Sequence, residues 1–291
     1  MSFSDDPRPV AITGATGQLG TAFARLIPEA LMLGRSDLDL TLSGSIAETI
    51  KRLDPCAVIN CAAYTNVDGA EQDEQTATVV NGTSVGEMAS VTATLGIPFL
   101  TFSTDYVFSG DSDRPYVESD DVDPINAYGL SKLVGEHLAT ANNPNALIVR
   151  TSWVVSGTHD NFVATMLRLA SDDRAVLRVV DDQRGCPTIA KDLASASLIA
   201  MRTGVTGLLH LANGPATTWF DLAEFSVSHS GLGGTVTPCS TTEFPRPAVR
   251  PQNSVLGSER LGDMPAINMP PWQESVVEVI DAQMERLSLD S

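Results

Sequence analysis

The sequence predicts a doubly wound α/β fold: a mostly parallel, Rossmann-like sheet covered by helices on both faces, with a smaller mixed α/β C-terminal lobe. Three observations predict it. A glycine-spaced run, Ile12-Thr13-Gly14-Ala15-Thr16-Gly17-Gln18-Leu19-Gly20, lies between a short apolar run and a helical apolar pattern. Short apolar runs and helical patterns then alternate to about residue 155. Past that point the elements become shorter and mixed.

Each element has a local reason. Residues 9–13 form a short apolar strand, and Leu19, Ala22, Phe23, Leu26 and Ile27 follow at helical spacing. A second apolar stretch, 30–33, runs into Gly34-Arg35-Ser36. A polar connection, a helix over 45–53 and a buried strand over 57–61 come next, the alternation expected of parallel strands buried on both faces. Residues 74–95 read as one long helix closed by Gly96, and 98–103 as a further core strand. An acidic loop, 111–123, precedes a helix carrying Tyr128, and 147–151 is another strand.

The second lobe begins with a helix over 162–170 capped by Asn161. Short strands follow near 176–180 and 208–211, then a helix started by Thr218 and a Pro-rich segment over 245–251. The last helix, 272–287, has Val276, Val277, Val279, Ile280 and Met284 as a packing face. The expected organisation is a tail at 1–8, a dinucleotide-binding unit at 9–155 and a second lobe at 156–291, with a segment near 179–201 returning to the first unit.

At 291 residues and 43% apolar content the chain can bury one large core or two modest ones, which argues against disorder. A formal charge of −18 repels nucleic acid and anionic membranes, so any basic patch should stand out. Residues 1–8 are acidic and no apolar signal core follows; together with the lack of a membrane-length apolar run, this leads us to expect a cytoplasmic protein. Cys56, Cys61, Cys186 and Cys239 show no C-x-x-C spacing, which fits reduced structural thiols better than a disulfide frame or a zinc site.

Gly14, Gly17 and Gly20 allow a tight turn, close approach to a pyrophosphate and tight seating of the helix, whose N-terminal amides attract the anion. After the second strand, Arg35 suits the 2′-phosphate of NADPH, whereas Asp37 and Asp39 suit the ribose hydroxyls of NADH; Arg35 comes first and tilts the reading toward NADPH. Tyr128 and Lys132 stand four residues apart, on one helix face. Chance would supply such a Y-x-x-x-K about 0.04 times in a chain of this composition. A phenol with an ordinary pKa near 10 needs help to exchange protons at neutral pH, and the ammonium is expected to stabilise phenolate. Thr104, at the carboxyl end of its strand, can bond the same carbonyl oxygen.

ITGATGQLG and YGLSK, together with NCAAYTNVDGAE (60–71), STDYVFSG (103–110), RTSWVVSG (150–157), NFVATMLRLA (161–170), DDQRGCPT (181–188) and RPQNSVL (250–256), make the chain resemble the extended short-chain dehydrogenase/reductases. Within them it is similar, over nearly its whole length, to the dTDP-4-dehydrorhamnose reductases. The resemblance implies hydride transfer from NADPH or NADH to C4 of dTDP-4-dehydro-L-rhamnose, with Tyr128 protonating the oxygen and Thr104 and Lys132 completing a triad. It implies cofactor contacts from Gly14, Thr16, Gly17, Gln18, Leu19, Arg35, Asp39, Leu40, Ala62, Ala63, Tyr64, Tyr128 and Lys132. Substrate contacts would come from Val67, Asp68, Thr104, Asp105, Tyr106, Trp153, Arg250 and Asn253.

Related sugar-nucleotide 4,6-dehydratases place Asp-Glu after the Thr, whereas this chain has Asp105-Tyr106; without the Glu, elimination lacks its base and simple reduction is the better reading. The expected basic island is Arg246 and Arg250 in a Pro-rich stretch, and the guanidinium fork suits a diphosphate. Cys61, Arg184 and Gln252 depart from the family pattern, and Gln252 puts the exact diphosphate contact in doubt.

Two other readings remain open from sequence. The non-catalytic regulatory subunit of methionine adenosyltransferase resembles the same reductases, and a different 4-keto sugar nucleotide would need only a changed pocket. Some relatives pair through magnesium, but scattered acid in a sequence does not locate a metal site, so no metal ligand is assigned. The partner expected is a small nucleotide sugar, with no nucleic acid or membrane, for a monomer or homodimer.

Overall fold

The computed structural model describes residues 6–42 and 44–289, so the first five residues of the expected tail lie outside the described residues. In chain order it contains β1 (Val10–Thr13), α1 (Gln18–Leu26), β2 (Leu31–Leu33), α2 (Ser45–Leu53), β3 (Ala57–Asn60), α3 (Val67–Ala70), α4 (Glu74–Thr78), a π-helical turn (Val79–Thr83), α5 (Ser84–Leu95) and β4 (Phe99–Thr104). Then come α6 (Ala127–Asn142), β5 (Leu147–Thr151), β6 (Val154–Val155), α7 (Phe162–Ala170), β7 (Val176–Val180), β8 (Arg184–Gly185) and β9 (Thr188–Ile189). The chain continues through α8 (Ala190–Arg202), β10 (Gly207–His210), β11 (Thr217–Thr218), α9 (Trp219–Ser230), β12 (Thr235–Cys239) and α10 (Trp272–Leu289).

Six parallel strands form the main sheet in the order β10-β5-β4-β3-β1-β2. The order reverses between β1 and β3, so the chain leaves these two strands toward opposite faces and opens a crevice at their carboxyl ends. Both faces are covered. Ile12, Ile59, Leu100 and Val149 share one core cluster with Phe23 of α1 and Leu193 of α8. Ala11, Val58, Phe99 and Ile148 face the other way, onto Ile46 of α2 and Met88 of α5. Each fully buried Ile, Leu or Phe in these layers contributes about 1.5–3 kcal/mol.

Two expectations are corrected. The strand read near 208–211 as part of the second lobe is β10, which pairs in parallel with β5 at the edge of the main sheet. A strand buried against the sheet and an edge strand of a small lobe carry the same apolar run, so the sequence alone does not separate them. The helix read as continuous over 74–95 is broken by the π-helical turn at Val79–Thr83. That turn swings the buried Asn81 inward, where its side chain bonds both the backbone of Tyr64 and the Ser131 hydroxyl of α6.

The second lobe rests on α7, α9 and α10, which enclose Val163, Leu167, Leu222, Trp272, Val276 and Ile280. Asn161 caps α7 and Thr218 forms a capping box with Asp221 at α9. No helix among the described residues is long and apolar enough to cross a membrane.

Candidate active site

The crevice at the β1 and β3 ends has the shape a pyrophosphate needs. Gly14 sits at φ +68°, and a Cβ there would lie 2.6 Å from the Ala62 amide nitrogen; one at Gly20 would lie 2.2 Å from the Gly14 carbonyl oxygen. Only glycines allow the turn, α1 and the chain leaving β3 to meet backbone to backbone. Gly17 caps α1 with no side chain, and Thr16 and Gly17 are exposed, so the positive end of the helix faces the crevice. A dinucleotide fits this cradle. Leu19 packs against the core. The Gln18 side chain turns instead toward the second lobe, donating to the Val154 carbonyl (3.1 Å) and accepting from Ser156 (2.9 Å) and Asn161 (3.1 Å).

At the end of β2 the charged groups divide. Asp37 accepts the Gly34 amide (2.9 Å) and Asp39 accepts both the amide and hydroxyl of Thr41 (2.9 and 2.7 Å). Arg35 is 81% exposed and holds Asp39 only at 3.6 Å. Leu40 is buried in the core with Leu38, so its side chain is structural. Ala62, Ala63 and Tyr64 line the other wall half-buried, with Tyr64 fixed through Asn81.

Thr104 ends β4, and Tyr128 and Lys132 lie on successive turns of α6, whose N-terminus Asn126 caps. Thr104 lies near enough to the Tyr128 phenol to act on its ionisation, while its own hydrogen bonds go to Asp105 Oδ1 (3.0 Å) and the Tyr106 amide (3.2 Å). Burial pushes that phenol up to about 12, with the Asp105 charge adding to the rise and Thr104 opposing it. The expected lowering toward phenolate is therefore corrected: taking a charge out of water outweighs the influence of Thr104, which alone acts in the lowering direction. Lys132 is lowered to about 8, because burial disfavours its charge more than Glu136 favours it. Among the described residues its ammonium makes no hydrogen bond or ion pair, which leaves its three N–H donors for a ligand.

On the substrate side the basic island folds back. Arg250 Nη1 contacts Asp68 Oδ1 at 2.5 Å and the Ala248 carbonyl at 2.6 Å, while Arg246 Nε reaches Asp68 Oδ2 at 3.2 Å. Asp68, beside Val67 at the start of α3, holds two guanidinium groups in place. The Asn253 amide donates to the Ser112 carbonyl at 2.5 Å, so that side chain fastens the acidic loop. Trp153 stands at φ +44°, stacked on Trp219 at 3.7 Å and seated over Gly185, where a Cβ would come within 2.5 Å of its ring. A non-glycine residue in that region is strained, and the ring stack and close glycine contact hold it there. Tyr106 meets Tyr128 edge to face at 6.1 Å.

Comparison with known proteins shows the family of the chain. The model of the RmlD substrate binding domain matches residues 8–285. The chain belongs to that family. It is 37% identical to a Burkholderia thailandensis dTDP-4-dehydrorhamnose reductase, covering 92% of this chain and 96% of that protein. A Mycobacterium tuberculosis dTDP-4-dehydrorhamnose reductase is 39% identical over 97% of this chain and 95% of its own. A Bacillus anthracis dTDP-4-dehydrorhamnose reductase crystallised in complex with NADP superposes with a TM-score of 0.87 at 33% identity, covering 98% of this chain and 99% of that one.

Against the RmlD family pattern, Cys61 is half-buried and desolvation pushes its thiol well up, so it stays protonated. All four cysteines are free. Arg184 and Gln252 meet through backbone, Arg184 N to the Gln252 carbonyl at 2.8 Å, so neither side chain makes that contact. No group of three or more His, Cys, Asp or Glu that could hold a metal occurs among the described residues. Sequence reasoning missed Asn81, Trp219 and the buried pair Glu136–Arg150. Arg150 donates to Glu136 through Nε (2.9 Å) and Nη2 (2.7 Å), and Ser103 adds a 2.5 Å bond to the same carboxylate. The signal available was a charge inside an apolar pattern: Glu136 lies one turn past Lys132, and Arg150 lies within the β5 run.

Proposed function

We propose that this protein reduces the C4 keto group of dTDP-4-dehydro-L-rhamnose to give dTDP-L-rhamnose. The observation that carries the reading is the placement of Tyr128 and the unpaired ammonium of Lys132 on successive turns of α6, against the end of β4 that carries Thr104. A bound nicotinamide cofactor supplies the hydride. Tyr128, neutral throughout the physiological range, offers its proton to the carbonyl oxygen, and Thr104 orients that oxygen. Lys132 binds the cofactor ribose hydroxyls and keeps a positive field beside the phenol. Asp68 presents Arg250, with Arg246 behind it, to the diphosphate, and the Trp153–Trp219 stack walls the sugar. The unit at 9–155, with the returning α8 and β10, would hold the cofactor, and the rest of 156–291 mainly the nucleotide sugar.

NADPH is the favoured cofactor. The Asp37 and Asp39 carboxylates are engaged by Gly34 and Thr41, while Arg35 projects into solvent where a 2′-phosphate would lie. The test is the loss of reduced-cofactor absorbance with dTDP-4-dehydro-L-rhamnose. Turnover with NADPH, at higher kcat/KM than with NADH, is expected. Cofactor binding without turnover on this or related 4-keto sugars would instead favour a regulatory protein.

A further inference from the structure

We infer that Asp105 is a positioning residue whose protonation state decides where the Thr104 hydroxyl points, switching the proposed reductase site between a productive and an idle hydrogen-bond arrangement. The inference rests on the reductase reading above. Asp105 follows the catalytic strand directly and is 2% exposed. Its Oδ1 lies 3.0 Å from Thr104 Oγ1, and its Oδ2 is buried with no hydrogen-bond partner among the described residues. An ionised carboxylate with a buried oxygen that no protein group bonds is expensive, whereas a protonated acid tolerates that site.

The hydroxyl of Thr104 has one proton to give and two lone pairs to fill. The Tyr106 amide fills one lone pair, at 3.2 Å. When Asp105 is protonated it can donate to the second, which leaves the Thr104 proton free to turn to the substrate oxygen beside the phenol. When Asp105 is ionised it takes the Thr104 proton instead. Thr104 then has an open lone pair facing Tyr128, and the phenol proton is drawn to Thr104 rather than to the carbonyl. The second arrangement is idle because both protons needed at the substrate oxygen are spent inside the protein.

The groups around Asp105 set where it titrates. Tyr106 and Tyr128 are neutral phenols, Cys186 is a buried thiol, the Ser254 hydroxyl favours the charged form, and Arg250 acts on the neighbouring Tyr106. Burial outweighs the hydrogen bonds and pushes the carboxyl up to about 7, so the switch lies in the physiological range.

The direct readout is infrared spectroscopy of the whole protein without substrate. A protonated-carboxyl band present at pH 6, fading through about pH 7 and missing from Asp105→Asn is expected. The kinetic readout is kcat between pH 6 and 8. A site needing protonated Asp105 loses about tenfold over that span, with a further loss of about twofold from Lys132. In Asp105→Asn the amide donates to Thr104 at every pH, so whatever its absolute kcat the tenfold limb should be gone and only the twofold loss remain. Thr104→Val should be slow and also lack the tenfold limb, since there is no hydroxyl to redirect. An infrared band untouched by the Asn substitution, or a tenfold limb that persists in either variant, would overturn the inference. A wild-type protein that does not turn over at all would sink the reductase reading and leave the infrared test standing.

Discussion

Tyr128 is held as a neutral acid, and its chemistry follows from that. With its pKa pushed up to about 12, the phenol carries its proton at every pH where the protein works, so it can donate without competing ionisation. Tyr128→Phe should lower kcat by about two orders of magnitude or more, with cofactor affinity by fluorescence titration little changed. Lys132 is the opposite case, a charge kept at a cost. Because its folded pKa is lowered to about 8 from 10.5, the folded state holds fewer protons than the unfolded chain between those values, and stability rises as pH rises through that window. Below about pH 8 the cost is fully present. Lys132→Met should therefore raise Tm by a few degrees (roughly, at neutral pH) while turnover falls by at least about a hundredfold, a split that calorimetry and the cofactor assay read separately. If Tm drops with activity, the ammonium has a structural partner after all.

Elements carry the site by the way they meet. The helix α6 brings Tyr128 and Lys132 to the crevice, and it packs so closely on the π-helical turn that a Cβ at Gly135 would lie 2.2 Å from the Asn81 carbonyl oxygen. Beneath the site, Glu136 on α6, Arg150 on β5 and Ser103 on β4 are tied in one buried network, adjoining Thr104 in sequence. Arg150 also stands 5.0 Å over the Phe108 ring. Removing one partner leaves a charge unpaired in the interior, so Arg150→Met should destabilise by about 3–5 kcal/mol in urea titrations. A change under about 1 kcal/mol would mean that water reaches Glu136. The sequence made β4 and β5 legible through their apolar runs and α6 through the one-turn spacing of Tyr128 and Lys132, but not this network. Period reports which face is buried, and says nothing of which two buried charges from separate elements will touch. The π-helical turn was hidden for the same reason: one extra residue per turn is selected by the Asn81 contacts with Tyr64 and Ser131, which are tertiary.

At the scale of the whole molecule, the two lobes are interleaved rather than joined in series. The helix α8 lies on α1 and β10 completes the main sheet, after the chain has already made α7 and β7. A fragment ending at residue 170 would leave β5 as an open edge and expose the Leu193 side of the core, so it should fail to give the dispersed amide spectrum of a folded domain, whereas the full chain should give one. Gln18 shows the same interleaving at the crevice, because its side chain clasps Val154, Ser156 and Asn161 instead of pointing to the cofactor. What the sequence determined by itself was local: the glycine turn that only residues without a Cβ allow, the strand and helix periods, and the one-turn spacing of Tyr128 and Lys132. The tertiary structure alone decided that β10 closes the sheet, that Asp68 holds both arginines, that Asn253 fastens a loop and that burial lifts Tyr128 and lowers Lys132. Those outcomes depend on which distant groups exclude water from one another, and spacing along a chain does not carry that information.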